Sequence, residues 1–562
     1  MEKLDANAKK EVEALVDVPP DHFSVRGCCL PPPAQFVLVA VLGSFQFGYS
    51  FSALNTSKAI IIADFDWCKD DPDHVLDCSN GVLYGSLITG SIFIGLTIGC
   101  LLAGPVTHFG RRVSLMLTNL LFLVASVLSA AADGVASLFL ARMYQGMAVG
   151  LATVCVPMYI SEFTPDRSRG FYGTLHQLLI TVGILVATLL GLAFGSPPAD
   201  NDFTYEVTFF QKFWWRFMLA FPALVSVVAI LLLWLVYTTE SPHFLMHQGR
   251  KNTATALLKE ILGKEDVSTE IQTIDVSMCQ QKVLEAESLS LGKALGFPVY
   301  RHVLLLAFFL SAFQQFTGIN VLVANSNKLY TSLNISENLV TVLSVILGLV
   351  NVLMTVPAIF LMDRLGRRTL LLSGCFGQAA STIVALVANF IDRSSTAVQW
   401  LSVACIYVFI VSFAIGYGPV LWVYLHEIFP PEIKQTGASV ASAVNAVATI
   451  IVVLPSDFVL TSDLRVMLGV CGGTSLIALI VASIFMKETA GLSIDESPYF
   501  KGKRRVMSKY FDVTGLNNVG QQVPSLASGH FSPTQLGAPP PASARALRSR
   551  RWSACAVALL AH

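Results

Sequence analysis

The sequence carries little charge for its length, and this scarcity excludes an ordinary soluble protein. Of 562 residues only 13% are charged, 54% are hydrophobic, and the mean hydropathy is +0.63. Soluble domains average about 25% charged residues, and a single core cannot hide so much apolar surface. The excess must face lipid. The composition therefore predicts a protein that crosses the lipid bilayer many times.

Further absences narrow the function. The 37 basic and 37 acidic residues cancel, so no charge excess is available to hold a phosphate backbone and no nucleic-acid partner is expected. The 11 cysteines are scattered, and no CxxC pair indicates a zinc site. No Ser/His/Asp set or metal-ligand cluster stands at the ends of the apolar stretches, so we expect neither an enzyme nor a metal or other cofactor. Residues 1–30 lack the apolar core of a signal peptide, which predicts an uncleaved, cytosolic amino terminus.

Long apolar stretches take the place of charge. A transmembrane helix needs about 20 apolar residues to cross a hydrocarbon layer of roughly 30 Å, and about twelve such stretches follow one another here. We predict spans at residues 35–62, 83–106, 113–132, 136–161, 170–194, 216–237, 301–331, 336–362, 369–391, 398–427, 436–460 and 464–486. The predicted segments are a cytosolic amino terminus (1–34), an N-terminal six-helix bundle (35–238), a helical cytosolic linker (239–300), a C-terminal six-helix bundle (301–487) and a largely disordered cytosolic tail (488–562).

Basic residues collect on one side of these spans. Gly110-Arg-Arg, Gly366-Arg-Arg and the central linker all lie there, whereas the opposite loops hold mostly isolated cations. Cytoplasmic loops of membrane proteins carry the excess of Lys and Arg, so that side is predicted to be cytosolic. Both termini are then cytosolic.

The two halves of the chain repeat each other. Four positions recur at one constant offset: Tyr159, Glu162, Pro165 and Arg169 return as Tyr424, Glu427, Pro430 and Lys434. Duplication explains this better than coincidence among loop residues. In secondary transporters such repeats imply two parallel six-helix bundles, related by an axis along the membrane normal, with a ligand site between them at the membrane midplane.

Short motifs over residues 35–490 resemble those of the sugar porter family of the major facilitator superfamily. They are Gly110-Arg-Arg, Pro157-Met-Tyr-Ile-Ser-Glu162, Leu175-His-Gln-Leu178, Thr239-Glu-Ser-Pro242, Gln314-Gln-Phe-Thr-Gly-Ile-Asn320, Asp363-Arg-Leu-Gly-Arg-Arg368, Gly418-Pro-Val-Leu-Trp422 and Lys487-Glu-Thr489. Phe65-Asp-Trp-Cys68, Cys78-Ser-Asn80 and Gly318-Ile-Asn-Val-Leu-Val323 further resemble apicomplexan parasite hexose transporters. The resemblance implies an all-α membrane protein of the major facilitator fold, with twelve transmembrane helices in two six-helix bundles. It also implies a plasma-membrane hexose carrier that works by alternating access and functions as a monomer.

Amide side chains inside the spans predict where a sugar binds. A neutral polyol needs partners that both donate and accept hydrogen bonds, and primary amides do so. A buried amide without a partner costs roughly 2 to 7 kcal/mol, so several together should face a wet cavity, a ligand or one another. The alternative is hydrogen bonding between helices, which amides also supply in membranes. The amides in question are Gln177, Gln314, Gln315, Asn320, Asn351 and Asn445.

Two breaks in the spans should accompany this site. Gly318 is predicted to weaken the seventh span just before Asn320. Gly416, Gly418 and Pro419 should interrupt the tenth span and let the indole of Trp422 lie against a pyranose ring. The resemblance implies that Trp422 and all the amides above except Asn445 contact the sugar; Asn445 is a further candidate.

The first span predicts the driving force. Proton-coupled members of the family carry an aspartate after Phe-Gly-Tyr, where this chain reads Phe47-Gly-Tyr-Ser50. Serine does not titrate in the working range, so we predict facilitated diffusion, that is, a uniporter. His176 and His426 are alternative proton carriers, which we interpret as structural. A proton-coupled sugar symporter and a non-transporting sugar sensor remain the alternative functions.

Two sets of residues are predicted to gate the carrier. By resemblance, repeated charges form a cytosolic latch that holds the bundles together when the cavity opens outward: Arg111, Arg112, Glu162, Arg169 and Glu240, with Arg367, Arg368, Glu427, Lys434 and Glu488. Asn325 and Asn327 are predicted to close an outer gate by hydrogen bonding to the first span near Asn55. Alanines at 324, 414 and 446 replace bulkier residues of the family, which predicts a broader substrate range that includes glucose and fructose.

The first external loop contains Cys68 and Cys78. An oxidising compartment favours a disulfide between them, with two free thiols as the alternative. Asn334-Ile-Ser336 is an acceptor sequon on the same predicted side, and its use does not follow from the sequence.

Overall fold

The computed structural model describes residues 31–69, 78–164, 169–194, 206–272, 274–275, 291–392, 395–429, 431–489 and 499. Within these ranges the regular secondary structure is helical and contains no β-strand. The amino terminus, the disulfide loop, part of the linker and nearly all of the predicted tail fall outside the described residues.

The N-terminal half is built from long apolar helices. They are α1 (Pro32–Asp64), α2 (Ser79–Thr107), α3 (Arg111–Ala130), α4 (Val135–Phe163), α5 (Arg169–Gly191) and α6 (Phe209–Leu231). Helices α2 and α4 approach so closely that a Cβ at Gly95 would lie 1.9 Å from the carbonyl oxygen of Met143. Glycine is therefore required at this contact between α2 and α4.

The linker supplies α7 (Pro242–His247), α8 (Lys251–Leu262) and α9 (Leu291–Gly296). The C-terminal half follows with α10 (Pro298–Phe316), α11 (Ile319–Ala324), α12 (Ser326–Ser332), α13 (Glu337–Leu365), α14 (Arg367–Ile391), α15 (Thr396–Ser412), α16 (Gly418–Ile428), α17 (Pro431–Val453), α18 (Ser456–Ser462) and α19 (Leu464–Phe485). The two halves meet where α2 packs on α17 and where α5 packs on α13.

The predicted all-α membrane fold is confirmed. Eleven helical segments among the described residues are long and apolar enough to cross a membrane. The span predicted at 436–460 corresponds to α17, whose apolar part is the shorter stretch Gly437–Val453, and to the first residues of α18. The first turns of α17 carry the polar residues of 431–436, which shorten the apolar run.

The seventh and tenth predicted spans are interrupted where their glycines indicated. The seventh is divided into α10, α11 and α12, with breaks at Gly318 and, unexpectedly, at Asn325. The tenth contains a π-helical turn, Phe413–Tyr417, between α15 and α16.

The bundle has two faces, a disulfide side and a linker side. On the disulfide side, Cys68 at the end of α1 is bonded to Cys78 at the start of α2. On the linker side lie α7 and α8 and the first residues of α3 and α14. The sequence predicts that the linker side is cytosolic.

Candidate functional site

A large cavity lies between the two halves. Its volume is about 2340 Å³, and all of the residues predicted to contact the sugar line it: Gln177, Gln314, Gln315, Asn320, Asn351, Trp422 and Asn445. The cavity continues to the linker side, where Glu162 and Glu427 form part of its wall. The amides therefore border a chamber that is large enough for a sugar and its water.

Four of the amides form a connected network at the wall of the C-terminal half. Nε2 of Gln315 donates to Oδ1 of Asn445 at 3.0 Å, and Nδ2 of Asn320 donates to Oε1 of Gln315 at 2.5 Å. Nδ2 of Asn445 donates to Oε1 of Gln314 at 2.9 Å. Each amide satisfies another, so the network holds its donors and acceptors in fixed positions facing the cavity.

The same network joins the two interrupted spans. Nε2 of Gln314 donates to the backbone carbonyl of Tyr417 at 3.1 Å, at the end of the π-helical turn. Gly318 follows on the other side of the network with φ of +92°, a left-handed conformation that favours glycine. A Cβ at this position would lie only 2.4 Å from Sγ of Cys471. The breaks thus place Asn320 and Trp422 at the cavity.

The rest of the cavity wall, which both halves supply, is less connected. Gln177 on α5 and Asn351 on α13 are half-buried and line the cavity, as do Phe47 and His176. Nδ1 of His176 lies 2.7 Å from Oγ of Ser44, a pairing that the sequence did not indicate. The side chain of His426, the other histidine considered as a proton carrier, lies outside the described residues.

The cavity is closed on the disulfide side by contacts between α1 and α12. Nδ2 of Asn55 donates to Oγ of Ser326 at 2.6 Å, and the backbone N–H of Asn327 donates to Oδ1 of Asn55 at 3.2 Å. Oγ of Ser344 donates to Oδ1 of Asn327 at 2.6 Å. The predicted gate residues are thus brought together across the two halves.

A buried ion pair reinforces this closure. Nζ of Lys58 lies 2.9 Å from Oδ1 of Asp457 and donates to Oδ1 of Asn325 at 2.5 Å. Oγ of Ser86 donates to Oδ2 of the same aspartate at 3.3 Å. Lys58 and Ser86 belong to the N-terminal half and Asp457 to the C-terminal half, so the pair crosses the interface.

Sequence reasoning missed Lys58 and Asp457. A signal was available, because both fall inside predicted spans, 35–62 and 436–460, and ionisable groups at membrane depth are rare and usually functional. What the sequence did not reveal is that they are partners.

On the linker side the predicted latch residues of the N-terminal half form one cluster. Oε2 of Glu240 accepts the backbone N–H groups of Arg111 and Arg112 at 2.8 and 3.0 Å, which caps the first turn of α3. Oε1 of Glu162 accepts from Nε of Arg111 at 2.9 Å, and its other oxygen accepts from the hydroxyl of Ser241.

The C-terminal half repeats this cluster. Glu488 accepts the backbone N–H groups of Arg367 and Arg368 at 2.8 and 3.0 Å, which caps α14. Glu427 accepts from Nη2 of Arg367 at 3.1 Å and from the hydroxyl of Thr489 at 2.5 Å. These contacts join residues of the same half. The remaining latch residues, Arg169 and Lys434, have side chains outside the described residues.

An unpaired cation lies beside the first span. Arg142 of α4 is 1% exposed, and it donates to Oε1 of Gln145 at 2.7 Å and to the backbone carbonyl of Ser50 at 2.9 Å. Its Nε has no partner, and no carboxylate in the described part of the chain pairs with it. With serine at position 50, no carboxylate among the described residues balances the charge of this buried guanidinium.

Comparison with known proteins supports a common architecture. The family model described as "Sugar (and other) transporter" matches residues 36–500. The chain is 55% identical over 511 residues to Hexose transporter 1 of Toxoplasma gondii, covering 90% of this chain and 89% of the relative. It is 44% identical over 471 residues to Hexose transporter 1 of Plasmodium falciparum (isolate 3D7), covering 84% and 93% respectively. The inward-open structure of the xylose transporter XylE from E. coli matches with a TM-score of 0.66 and 25% identity, covering 83% of this chain and 98% of that one.

Proposed function

This chain belongs to the sugar (and other) transporter family, and from that premise we propose that it carries hexoses by facilitated diffusion and alternating access. The resemblance to sugar porters and to apicomplexan hexose transporters, predicted from the motifs, is confirmed. The chain is a multi-pass membrane transporter of sugars, and its relatives are transporters rather than enzymes. The proposal adds the substrates, the driving force and the orientation.

The observation that carries the proposal is the amide-lined cavity, closed at the disulfide side and extending to the linker side. Its amides offer both donors and acceptors to sugar hydroxyls, and Trp422 offers an apolar face. About six hydrogen bonds of about 0.5 to 1.5 kcal/mol each, less an association cost of at least about 4 kcal/mol, leave only weak binding. Millimolar affinity corresponds to about 4 kcal/mol, and it allows the sugar to leave on the far side.

The environment of Ser50 supports transport without a proton. A carboxylate at this position would neighbour Arg142, and its protonation would change the charge of the pair. Serine does not titrate there, and the guanidinium already donates to the serine backbone at 2.9 Å. We therefore assign uniport to the carrier.

The cavity wall supports a broad hexose range. Ala414 and Ala446 line the cavity, so both positions leave room beside the amide network. Glucose and fructose differ in ring size but present similar sets of hydroxyls, and a roomier site would accept both. We propose that both are substrates.

The proposed setting is the plasma membrane, with the linker side and both termini in the cytosol and a monomer as the functional unit. The concentration of basic residues on the linker side supports this orientation. The structure then corresponds to an inward-open carrier.

Purified protein in liposomes tests the proposal directly. Labelled glucose, fructose and galactose are offered with and without a pH gradient, and again with a protonophore. We expect saturable flux of glucose and fructose that is unchanged by the protonophore. Flux that collapses with the gradient would instead identify a proton-coupled symporter, and the absence of any flux would identify a non-transporting sensor.

A further inference from the structure

Tyr499 returns to the bundle beyond the last transmembrane helix. Its hydroxyl donates to the backbone carbonyl of Phe485 at 2.7 Å and accepts the backbone N–H of Lys487 at 2.9 Å. It also lies 2.8 Å from the hydroxyl of Tyr424, and Nζ of Lys487 sits 5.0 Å from the centre of its ring. Burial raises the pKa of Tyr499 above its ordinary value, so the hydroxyl stays protonated and able to donate.

These contacts join the linker-side ends of two helices. Phe485 is the last residue of α19, and Tyr424 belongs to α16. A residue predicted to belong to the disordered tail is thus part of the folded bundle. We call Tyr424, Lys487 and Tyr499 the tyrosine clasp.

The clasp adjoins the latch cluster of the C-terminal half. Lys487 is followed by Glu488, which caps α14, and by Thr489, which donates to Glu427. Tyr424 lies one helical turn before Glu427 on α16. Both carboxylates of this cluster are therefore held on backbone that the clasp fixes.

The N-terminal half has no equivalent clasp among the described residues. Tyr159 occupies the position that corresponds to Tyr424 in the repeat. Its side chain is fully buried and its hydroxyl has no hydrogen-bond partner. Within the described ranges the clasp therefore occurs in the C-terminal half only, beside a cluster that both halves share.

We propose that Tyr499 is a positioning residue for transport, which holds Glu427 and Glu488 in place through the tyrosine clasp. The proposal rests on the proposed function and on the predicted latch, which stabilises the outward-open state. Loosening the clasp would then depopulate the outward-open state. The apparent affinity for sugar on one side varies with the fraction of carrier that is open to that side.

The test uses the full chain in liposomes with the substitution Tyr499→Phe. This variant keeps the ring over Lys487 and removes only the hydroxyl. We expect the KM for uptake from the disulfide side to rise about fivefold, the lower end of the range for coupled sites, while the KM for efflux from the linker side does not rise. Tyr424→Phe should act in the same direction.

Tyr159→Phe is the matched control, because it removes a hydroxyl without a partner, and it should leave both KM values unchanged. A general folding defect would lower the maximal rates in both directions without separating the two KM values. Unchanged KM values in Tyr499→Phe, alongside saturable flux by the unsubstituted chain, would overturn the clasp alone. Absence of hexose flux by the unsubstituted chain would instead overturn the proposed function.

Discussion

The ion pair between Lys58 and Asp457 leads to a quantitative prediction about the disulfide-side gate. The two side chains are 13% and 2% exposed, so the pair is largely shielded from water. The substitution Lys58→Met removes the ammonium that lies 2.9 Å from Oδ1 of Asp457 and retains the hydrogen bond from the hydroxyl of Ser86. The closed gate would then contain a buried carboxylate that has lost the ammonium of Lys58.

Removing one member of a buried ion pair typically costs about 3 to 5 kcal/mol, because the other charge stays desolvated. Since each 1.4 kcal/mol is about a factor of ten, the gate-closed conformation should fall at least about a hundredfold relative to the open one. Every transport cycle must close this gate. Uptake by Lys58→Met should therefore fall by about two orders of magnitude.

The double variant Lys58→Met/Asp457→Leu distinguishes charge from packing. Replacing both members of a buried pair by apolar residues of similar size is often neutral, so uptake should recover to within about tenfold of the original rate. Lys259→Met is the control, because its ion pair with Glu265 is exposed to solvent and its loss should not change uptake. Uptake is measured in liposomes at equal amounts of folded protein. Equal losses in the single and double variants would refute the argument.

Three further substitutions test the cavity by labelled-hexose uptake. Gln315→Ala removes the centre of the amide network and should raise the KM for glucose about tenfold at equal surface expression; an unchanged KM would count against the sugar site. Gly318→Ala should abolish uptake and lower the melting temperature, because its Cβ would lie 2.4 Å from Sγ of Cys471, and normal activity would show that the break tolerates a side chain. Ala446→Trp should reduce fructose uptake more than glucose uptake by filling the cavity, and a parallel loss of both would contradict the proposed breadth.

The sequence predicts the helices and the amides well because both leave local signals. Runs of apolar residues determine the spans, and amides inside such runs are costly enough to require partners or a cavity. Gln315 and Asn320 are five residues apart, so their proximity follows from one broken helix. The glycine at 318 likewise marks its own break.

The gate was less predictable because its partners are distant in sequence. Lys58 and Asp457 come from opposite halves of the chain, and no local pattern links one to the other. The break at Asn325 has no glycine or proline that would predict it, and the side-chain amide of Asn325 bonds Ser456 and Lys58. Tyr499 was not predicted to belong to the bundle, because the composition around it resembles that of a disordered segment.

The repeat has a physical basis that its spacing alone does not reveal. Gly110 and Gly366 have φ of +120° and +83°, and a Cβ at either would lie within 2.6 Å of an oxygen of Glu240 or Glu488. Each glycine therefore lets a glutamate cap the following helix. This requirement explains why the motif persists in both halves.

The first and fourth spans differ from their counterparts in the C-terminal half in how continuous their helices are. The first and fourth spans, α1 and α4, are unbroken, whereas their counterparts in the C-terminal half are divided at Gly318, at Asn325 and at the π-helical turn. The backbone can change conformation more easily at a break than within a regular helix. In this half the breaks lie next to both the amide network and the contacts with Asn55. A sugar that rearranges the amides would act directly on α11 and α12, which contain the gate. Local movement on sugar binding is therefore expected in the C-terminal half, with the N-terminal half as the rigid surface against which the gate closes.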